Sequence, residues 1–508
     1  MQRSSDYSVS TITTDKTRVG SVSLPKQFIH RIHNLRVGDS LKSRLARGGT
    51  WLGSANALEQ TFRLLRNMIL TRLLAPEAFG LMAIVLAVNT AFESFTEIGI
   101  SQAIVQNPKG HEKTYLNGAF VLSFIRSIGL FLIAFFAAPF IAQFYGNPDL
   151  VLLMRVAFLS ILFKGAMSPH AYVAVKQLNF KRWVFINNGG GIIGIFVAIS
   201  LAFIMRDVWA LVIGFTVEAL FRLLLSYCIC PFLPGVKFKE ESLRALFKYA
   251  QGMLGLPILT FIFMRTDIFV LGKLVNQSDL GLYAMAMTLA YIPTRLVTQL
   301  FGQILMPAFS EIQFDMDRVN AAFLKITSVI VFLCLPLWIF AVLYGNNLLH
   351  IVYGTEYAKA ALPFAIIFGT STLQVSGSPI TALFFSIGLP QLNRLFTLVR
   401  AILVLALIYP AVKWFGLVGA ASAGFIAMSV AYIFQIMKLR KIIGLNVFLY
   451  NKIFMRGFMT SLLIPMLWFL SNNLMTLHTM SNLMWGFIGC FLTYAMVLWG
   501  NRKSLSKI

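Results

Sequence analysis

Three features of the sequence predict an all-α polytopic membrane protein of about fourteen transmembrane helices, built as two six-helix lobes related by a pseudo-two-fold axis, with two further helices at the C terminus. Hydrophobic residues fill 58% of the 508 positions and charged residues only 12%, about half the charged share of an ordinary soluble domain. Apolar runs long enough to cross a bilayer recur from Trp51 to Trp499. A stretch of the first half also returns in the second half at the same place in the helix order.

The segments follow in order. Residues 1–47 are polar and basic with no apolar signal core, and read as a cytoplasmic basic tail. An N-lobe, 48–230, holds six spans at roughly 50–74, 79–104, 116–144, 150–173, 185–205 and 208–230. Residues 231–246 carry Lys237, Lys239, Glu240, Glu241 and Arg244 and form a cytoplasmic linker. A C-lobe, 247–437, holds six more at roughly 247–275, 280–306, 320–344, 359–387, 391–414 and 416–437. A basic loop, 438–453, leads to two last spans within 454–500, followed by a cytoplasmic tail, 501–508.

The charges support this count. A net charge of +24 on a soluble chain would point to nucleic acid. In a membrane chain basic residues mark the loops that stay cytoplasmic, so no nucleic-acid partner is implied. With both termini inside, most of the 43 Lys and Arg fall on the cytoplasmic side, leaving Arg72, Arg206, Lys273, Lys359 and Lys413 outside. The expected location is the inner, cytoplasmic membrane.

The repeat is short but gapless. Leu70, Leu73, Gly80, Leu81 and Ala83 find identical residues 201 positions later, and Arg72 finds Lys273. Both stretches join the first and second helix of their half. An even number of helices per unit leaves the two halves in the same orientation, so the axis runs along the membrane normal.

The chemistry sits in charges inside the spans, where each needs a cavity or a partner. Glu59, Arg63 and Arg66 share one face of the first helix. Glu59 is placed to pair with Arg63, leaving Arg66 for a ligand. The seventh helix carries Arg265 and Asp267, and the repeat sets Asp267 opposite Arg66. The eighth carries Arg295 with Tyr291, Gln299 and Gln303 nearby, and the second carries Glu93 and Glu97 one turn apart. We take Arg63, Arg66, Arg265 and Arg295 as candidate ligands of an anion in a cationic cavity. Glu59, Glu93, Glu97 and Asp267 are candidate ion-coupling or pairing groups. For each, a structural ion pair is the competing reading. Arg126, Arg222, Lys325 and Arg400 read rather as snorkelling or structural charges. Basic in-span charges outnumber acidic ones by about two to one, which favours an anionic cargo.

Other motifs carry less. Gly189, Gly191 and Gly194 fit a dinucleotide fingerprint but lie inside an apolar helix, where close helix packing explains them better. Cys228, Cys230, Cys334 and Cys490 lack metal-ligand spacing and read as buried apolar side chains. Neither a cofactor nor a metal site is implied. Prolines at 257, 293, 336, 363, 379 and 410 interrupt the spans and mark places where a helix can bend.

Several stretches resemble the polysaccharide-transport, Wzx-type branch of the MOP flippase superfamily. They are Thr71-Arg-Leu-Leu-Ala-Pro-Glu-Ala-Phe-Gly80, Ile98-Gly-Ile-Ser-Gln-Ala-Ile-Val-Gln106, Gln177-Leu-Asn-Phe-Lys-Arg-Trp183 and Arg265-Thr-Asp-Ile-Phe-Val-Leu-Gly-Lys-Leu274 with Leu280-Gly-Leu-Tyr-Ala-Met-Ala286. The resemblance covers roughly residues 45–440. It implies the MOP flippase fold and a non-enzymatic export of an undecaprenyl-pyrophosphate-linked oligosaccharide to the periplasmic face, for exopolysaccharide, capsule or O-antigen. Membrane lipid, a polysaccharide polymerase and a chain-length regulator are the implied partners. A drug or cation exporter of the same superfamily would need an acidic cleft. A membrane-embedded polymerase or ligase would need a large outside loop.

Overall fold

The computed structural model describes residues 41–95, 99–235, 255–302, 305–473 and 479–500. The N-terminal tail to residue 40, Glu97, Gln303 and most of the 231–246 linker lie outside the described residues. Within them every regular element is helical. The N-lobe comprises α1 (Leu41–Leu73), α2 (Pro76–Phe95), α3 (Ile100–Gln106), α4 (Lys113–Tyr145), α5 (Leu150–Ala157), α6 (Leu159–Gly165), α7 (His170–Lys176), α8 (Phe180–Met205) and α9 (Trp209–Ile229). The C-lobe comprises α10 (Leu256–Leu274), α11 (Gln277–Ala290), α12 (Ile292–Gly302), α13 (Leu305–Ile312), α14 (Met316–Tyr353), a 3₁₀ turn (Thr355–Ala360), α15 (Ala361–Ser376), α16 (Ser378–Ser386) and α17 (Pro390–Ile443). Three more helices follow, α18 (Val447–Ser461), α19 (Leu463–Asn473) and α20 (Thr479–Gly500).

Nine helices among the described residues are long and apolar enough to cross a membrane, or ten if the pair bent by 60° between Gly165 and His170 forms one span. α17 is two helices in one register. At Gly416 the backbone takes φ 53° and ψ −129°, which folds 390–443 back on itself; a side chain there would be strained. The chain reverses so tightly that a Cβ at Gly419 would strike the Ala411 carbonyl. Helix starts follow local chemistry: Asn276 accepts from the Asp279 N–H at 2.7 Å, and Asp315 from the Arg318 N–H at 3.1 Å. Pro257 and Pro379 open α10 and α16, where a missing N–H costs nothing.

The repeat is visible as a contact between its own two copies. α2 lies against α11, and their first turns touch backbone to backbone. A Cβ at Gly80 would collide with the Gln277 carbonyl, and one at Gly281 with the Pro76 carbonyl. Pro76 and Gln277 are themselves counterparts in the repeat. Further crosslinks surround this crossing at the end of the molecule where α1, α4, α10 and α14 finish. Arg72 donates to the Ile351 carbonyl at 2.9 Å, from N-lobe to C-lobe. Its counterpart Lys273 donates to the Phe144 carbonyl at 2.5 Å, from C-lobe to N-lobe. Phe79 meets Tyr357 edge-on with centroids 6.3 Å apart. The lobes are sealed at this end. The last helices stand outside the repeat, with α18 and α20 packed on α14.

Candidate functional site

Between the lobes, next to this seal, lie two adjoining chambers of about 500 and 270 Å³. Arg63, Arg66, Asn67, Arg265 and Thr288 line both. Arg295, Gln60, Tyr291, Tyr353 and Gln374 complete the larger chamber. Their source is helical periodicity: residues 60, 63 and 67 of α1 fall on one face, as do 284, 287 and 288 of α11.

The arginines have different surroundings. Arg63 donates through Nε and Nη2 to Glu59 Oε1 at 2.9 and 2.7 Å, and through Nη2 to Glu218 Oε1 at 2.7 Å. Arg222 pairs with Glu218 at 2.7 Å and approaches Glu59 at 4.0 Å. Two acids and two bases thus close a neutral network joining α1 to α9. The helix between them gives way to it. A Cβ at Gly191 would come within 2.9 Å of Glu59 Oε1, while one at Gly190 or Gly194 would crowd Arg222 or Glu218. The glycines of the apparent fingerprint therefore serve helix packing on α9 and room for buried charge.

Arg66, three residues on, has no carboxylate within ion-pair distance among the described residues. Its Nε and Nη2 donate to Asn67 Oδ1 at 3.1 and 3.0 Å, a neutral acceptor. Arg295 reaches Gln60 Oε1 across the lobes at 3.5 Å, and Arg265 faces the same space. With Arg63 neutralised, the wall retains Arg66, Arg265 and Arg295 as uncompensated cations among the described residues. Among the described residues the one acid lining either chamber is Glu218, already paired.

The other sequence candidates lie elsewhere. Asp267 accepts from the Tyr283 hydroxyl at 2.8 Å and from the Ile268 N–H at 2.8 Å, and lines a small pocket inside the C-lobe. Its position matches that of Arg66 in the repeat, but it lines neither chamber. Glu93 binds Lys164 at 2.7 Å in a separate N-lobe pocket beside Arg126. Glu97 lies outside the described residues. Sequence reasoning did not single out Gln60, Asn67, Thr288, Tyr353 or Gln374. The face shared with Arg63 signals the first two. Gln374, a lone amide in an apolar run, gives only a weak signal.

The comparisons with known proteins agree with this architecture. The family described as polysaccharide biosynthesis protein matches residues 69–362. The succinoglycan biosynthesis transport protein ExoT of Rhizobium meliloti is 27% identical over 300 residues, 58% of this chain and 59% of that protein. The match to the lipopolysaccharide biosynthesis protein WzxC of Escherichia coli is 21% over 396 residues, 78% of this chain and 79% of the relative. Among solved structures, the lipid II flippase MurJ in an inward closed conformation superposes with a TM-score of 0.73 at 12% identity, covering 89% of this chain and 99% of that one. An inward-facing multidrug resistance MATE family transporter of the MOP superfamily gives 0.60 at 14%, covering 75% and 95%. At 12% and 14% identity these last two likenesses are of fold alone. With more than half of its length inside the matched family, the chain belongs to the polysaccharide biosynthesis protein family.

Proposed function

We propose that this multi-pass membrane protein is a flippase, not an enzyme, and that it carries an undecaprenyl-pyrophosphate-linked oligosaccharide from the cytoplasmic to the periplasmic face by alternating access. The observation that carries the reading is the inter-lobe wall of Arg66, Arg265 and Arg295, with no carboxylate at ion-pair distance among the described residues. Uncompensated cations in a bilayer are expensive unless an anion joins them. A guanidinium fork matches pyrophosphate oxygens two at a time. The relatives named for succinoglycan and lipopolysaccharide synthesis support a saccharide head on that anion.

In this reading both termini are cytoplasmic in the inner membrane, and the sealed end of the lobes faces the periplasm. The head enters from the cytoplasmic side while its prenyl tail stays in lipid. Neutralising the arginines removes their mutual repulsion and lets the lobes close around the head. The crossing of α2 and α11 then parts and the head leaves. A polysaccharide polymerase and a chain-length regulator are the partners that would receive it. A cation exporter of the same fold would need the opposite sign on this wall.

The test is Arg66→Ala in the native cell. Polymer export falls at least tenfold while the protein stays in the membrane at its normal level, and Arg66→Lys recovers part of it, keeping the charge but not the fork. Normal export from a stably inserted Arg66→Ala protein removes the anion site from this wall.

A further inference from the structure

A further cavity, of about 400 Å³, lies inside the C-lobe between α10, α12, α13, α15, α16 and α17. Thr298 and Gln374 line both it and the larger arginine chamber, so the two spaces adjoin. Its size falls in the range of small-molecule sites, roughly 300–1,000 Å³. Its chemistry differs from that of the arginine wall. Apolar side chains form most of its surface, and the polar groups set among them are amides and hydroxyls, with Arg400 as the one charged group among its described lining residues.

Several of these groups lack partners. Gln435 is 3% exposed, yet among the described residues neither its Oε1 nor the buried Oε1 of Gln374 has a hydrogen-bond donor. Gly377 lies beside the first of these: a Cβ there would stand 3.4 Å from Gln435 Oε1, in ordinary contact. Arg400 Nε is also buried and unmatched. The rest of that guanidinium is held by soft contacts. Nη2 donates to Thr397 Oγ1 at 3.0 Å, Nη1 lies 3.6 Å from Met428 Sδ, and the group sits 5.2 Å from the Phe263 ring centre. No carboxylate lies within ion-pair distance of Arg400 among the described residues. Thr397 donates its own proton to the Asn393 carbonyl, which leaves its oxygen lone pairs for the arginine and fixes it in place.

Unmatched polar groups in an apolar lobe are unfavourable unless a ligand or water completes them. Two amide oxygens require donors, and a buried guanidinium with no carboxylate beside it favours an anionic acceptor. A sugar ring supplies both when it carries hydroxyls and one carboxylate. We propose that this cavity is the saccharide subsite, and that it holds an acidic sugar with its carboxylate on Arg400 and its hydroxyls on Gln374 and Gln435. The proposal rests on the flippase reading above and adds a division of labour. The pyrophosphate lies on Arg66, Arg265 and Arg295, and the C-lobe reads the sugar.

The test uses purified full-length protein and two probes: inorganic pyrophosphate, and the repeat-unit oligosaccharide released by mild acid from the cell's own lipid-linked pool. Arg400→Met and Gln435→Leu are expected to weaken oligosaccharide binding at least tenfold and leave pyrophosphate binding unchanged, whereas Arg66→Ala does the reverse. Reducing the sugar carboxylate to an alcohol weakens binding to wild type by a similar factor and does not weaken binding to Arg400→Met. Thermal melting accompanies each variant. A purely structural Gln435 predicts that Gln435→Leu binds normally and melts no lower, since it removes an unmatched group. Oligosaccharide affinity unchanged in both variants, or a repeat unit with no acidic group, overturns the subsite and leaves the flippase reading intact. Loss of pyrophosphate binding site-wide, with wild type binding none, overturns both.

Discussion

Arg63 and Arg66 stand one helical turn apart, and the difference between them is set by residues far along the chain. Glu59 lies four positions before Arg63 and its pairing is legible on a helical wheel. Glu218, 155 positions away, is not, because no local pattern reports which face of α9 meets α1. Asp267 shows the same limit. Its place in the repeat is plain in the sequence, but its hydrogen bond to Tyr283 depends on how α10 is rotated within the lobe. The sequence therefore singles out the four arginines that line the chambers and the local Glu59–Arg63 pair, while the long-range partners are not legible in it. The network makes a prediction of its own. Glu218→Gln leaves Arg222 the hydrogen bond to the Asn187 carbonyl at 3.2 Å and, among the described residues, no ion pair closer than the 4.0 Å approach to Glu59, and breaking a buried pair costs about 3 kcal/mol. We expect a melting temperature in detergent several degrees lower and a reduced yield of folded protein. Arg66→Ala should show neither. Equal melting of Glu218→Gln and wild type would show that the network does not hold α1 to α9.

At the scale of elements, the tightest inter-lobe contact is the crossing of α2 and α11. The recurring stretch from Leu70 to Ala83 announced both helices. It gave no sign that the two copies touch, since a glycine in each reads equally well as contact with any neighbour. A leucine at Gly281 has no room against the Pro76 carbonyl; overpacking of this kind costs about 1–3 kcal/mol. The sealed arrangement should therefore lose population in Gly281→Leu. In a background with the four native cysteines replaced, Phe79→Cys and Tyr357→Cys are expected to cross-link under copper–phenanthroline, and Gly281→Leu to cut that yield several-fold. An undiminished yield would mean that the seal tolerates a side chain at the crossing.

In the proposed cycle the whole molecule moves charge. If pyrophosphate carries about two negative charges, as ordinary phosphates do, moving them outward through 100 mV is worth roughly 4–5 kcal/mol. Three uncompensated arginines travel with the wall. With the head bound they are largely neutralised, so the loaded step carries little net charge, and the empty wall returns its positive charge toward a negative interior. On either accounting one cycle exports negative charge. Flipping in reconstituted vesicles should thus accelerate severalfold under an inside-negative potential set by potassium and valinomycin at constant pH. A rate blind to the potential but sensitive to a sodium or proton gradient would replace this account with electroneutral exchange.

The crossing has one more consequence. Gly80 meets the first turn of α11 as Gly281 meets the first turn of α2, and Arg72 and Lys273 each reach the opposite lobe. Contacts that are reciprocal in this way are the mark of an isologous, two-fold homodimer. The protein is joined to itself as such a dimer would be, with its two subunits fused into one polypeptide. A true homodimer must repeat every residue on both sides of its axis. Fusion lifts that constraint, so Arg66 on one side answers to Asp267 on the other, and Arg265 to Leu64. A symmetric container thereby acquires a one-sided lining, which suits a cargo whose two ends are chemically unlike.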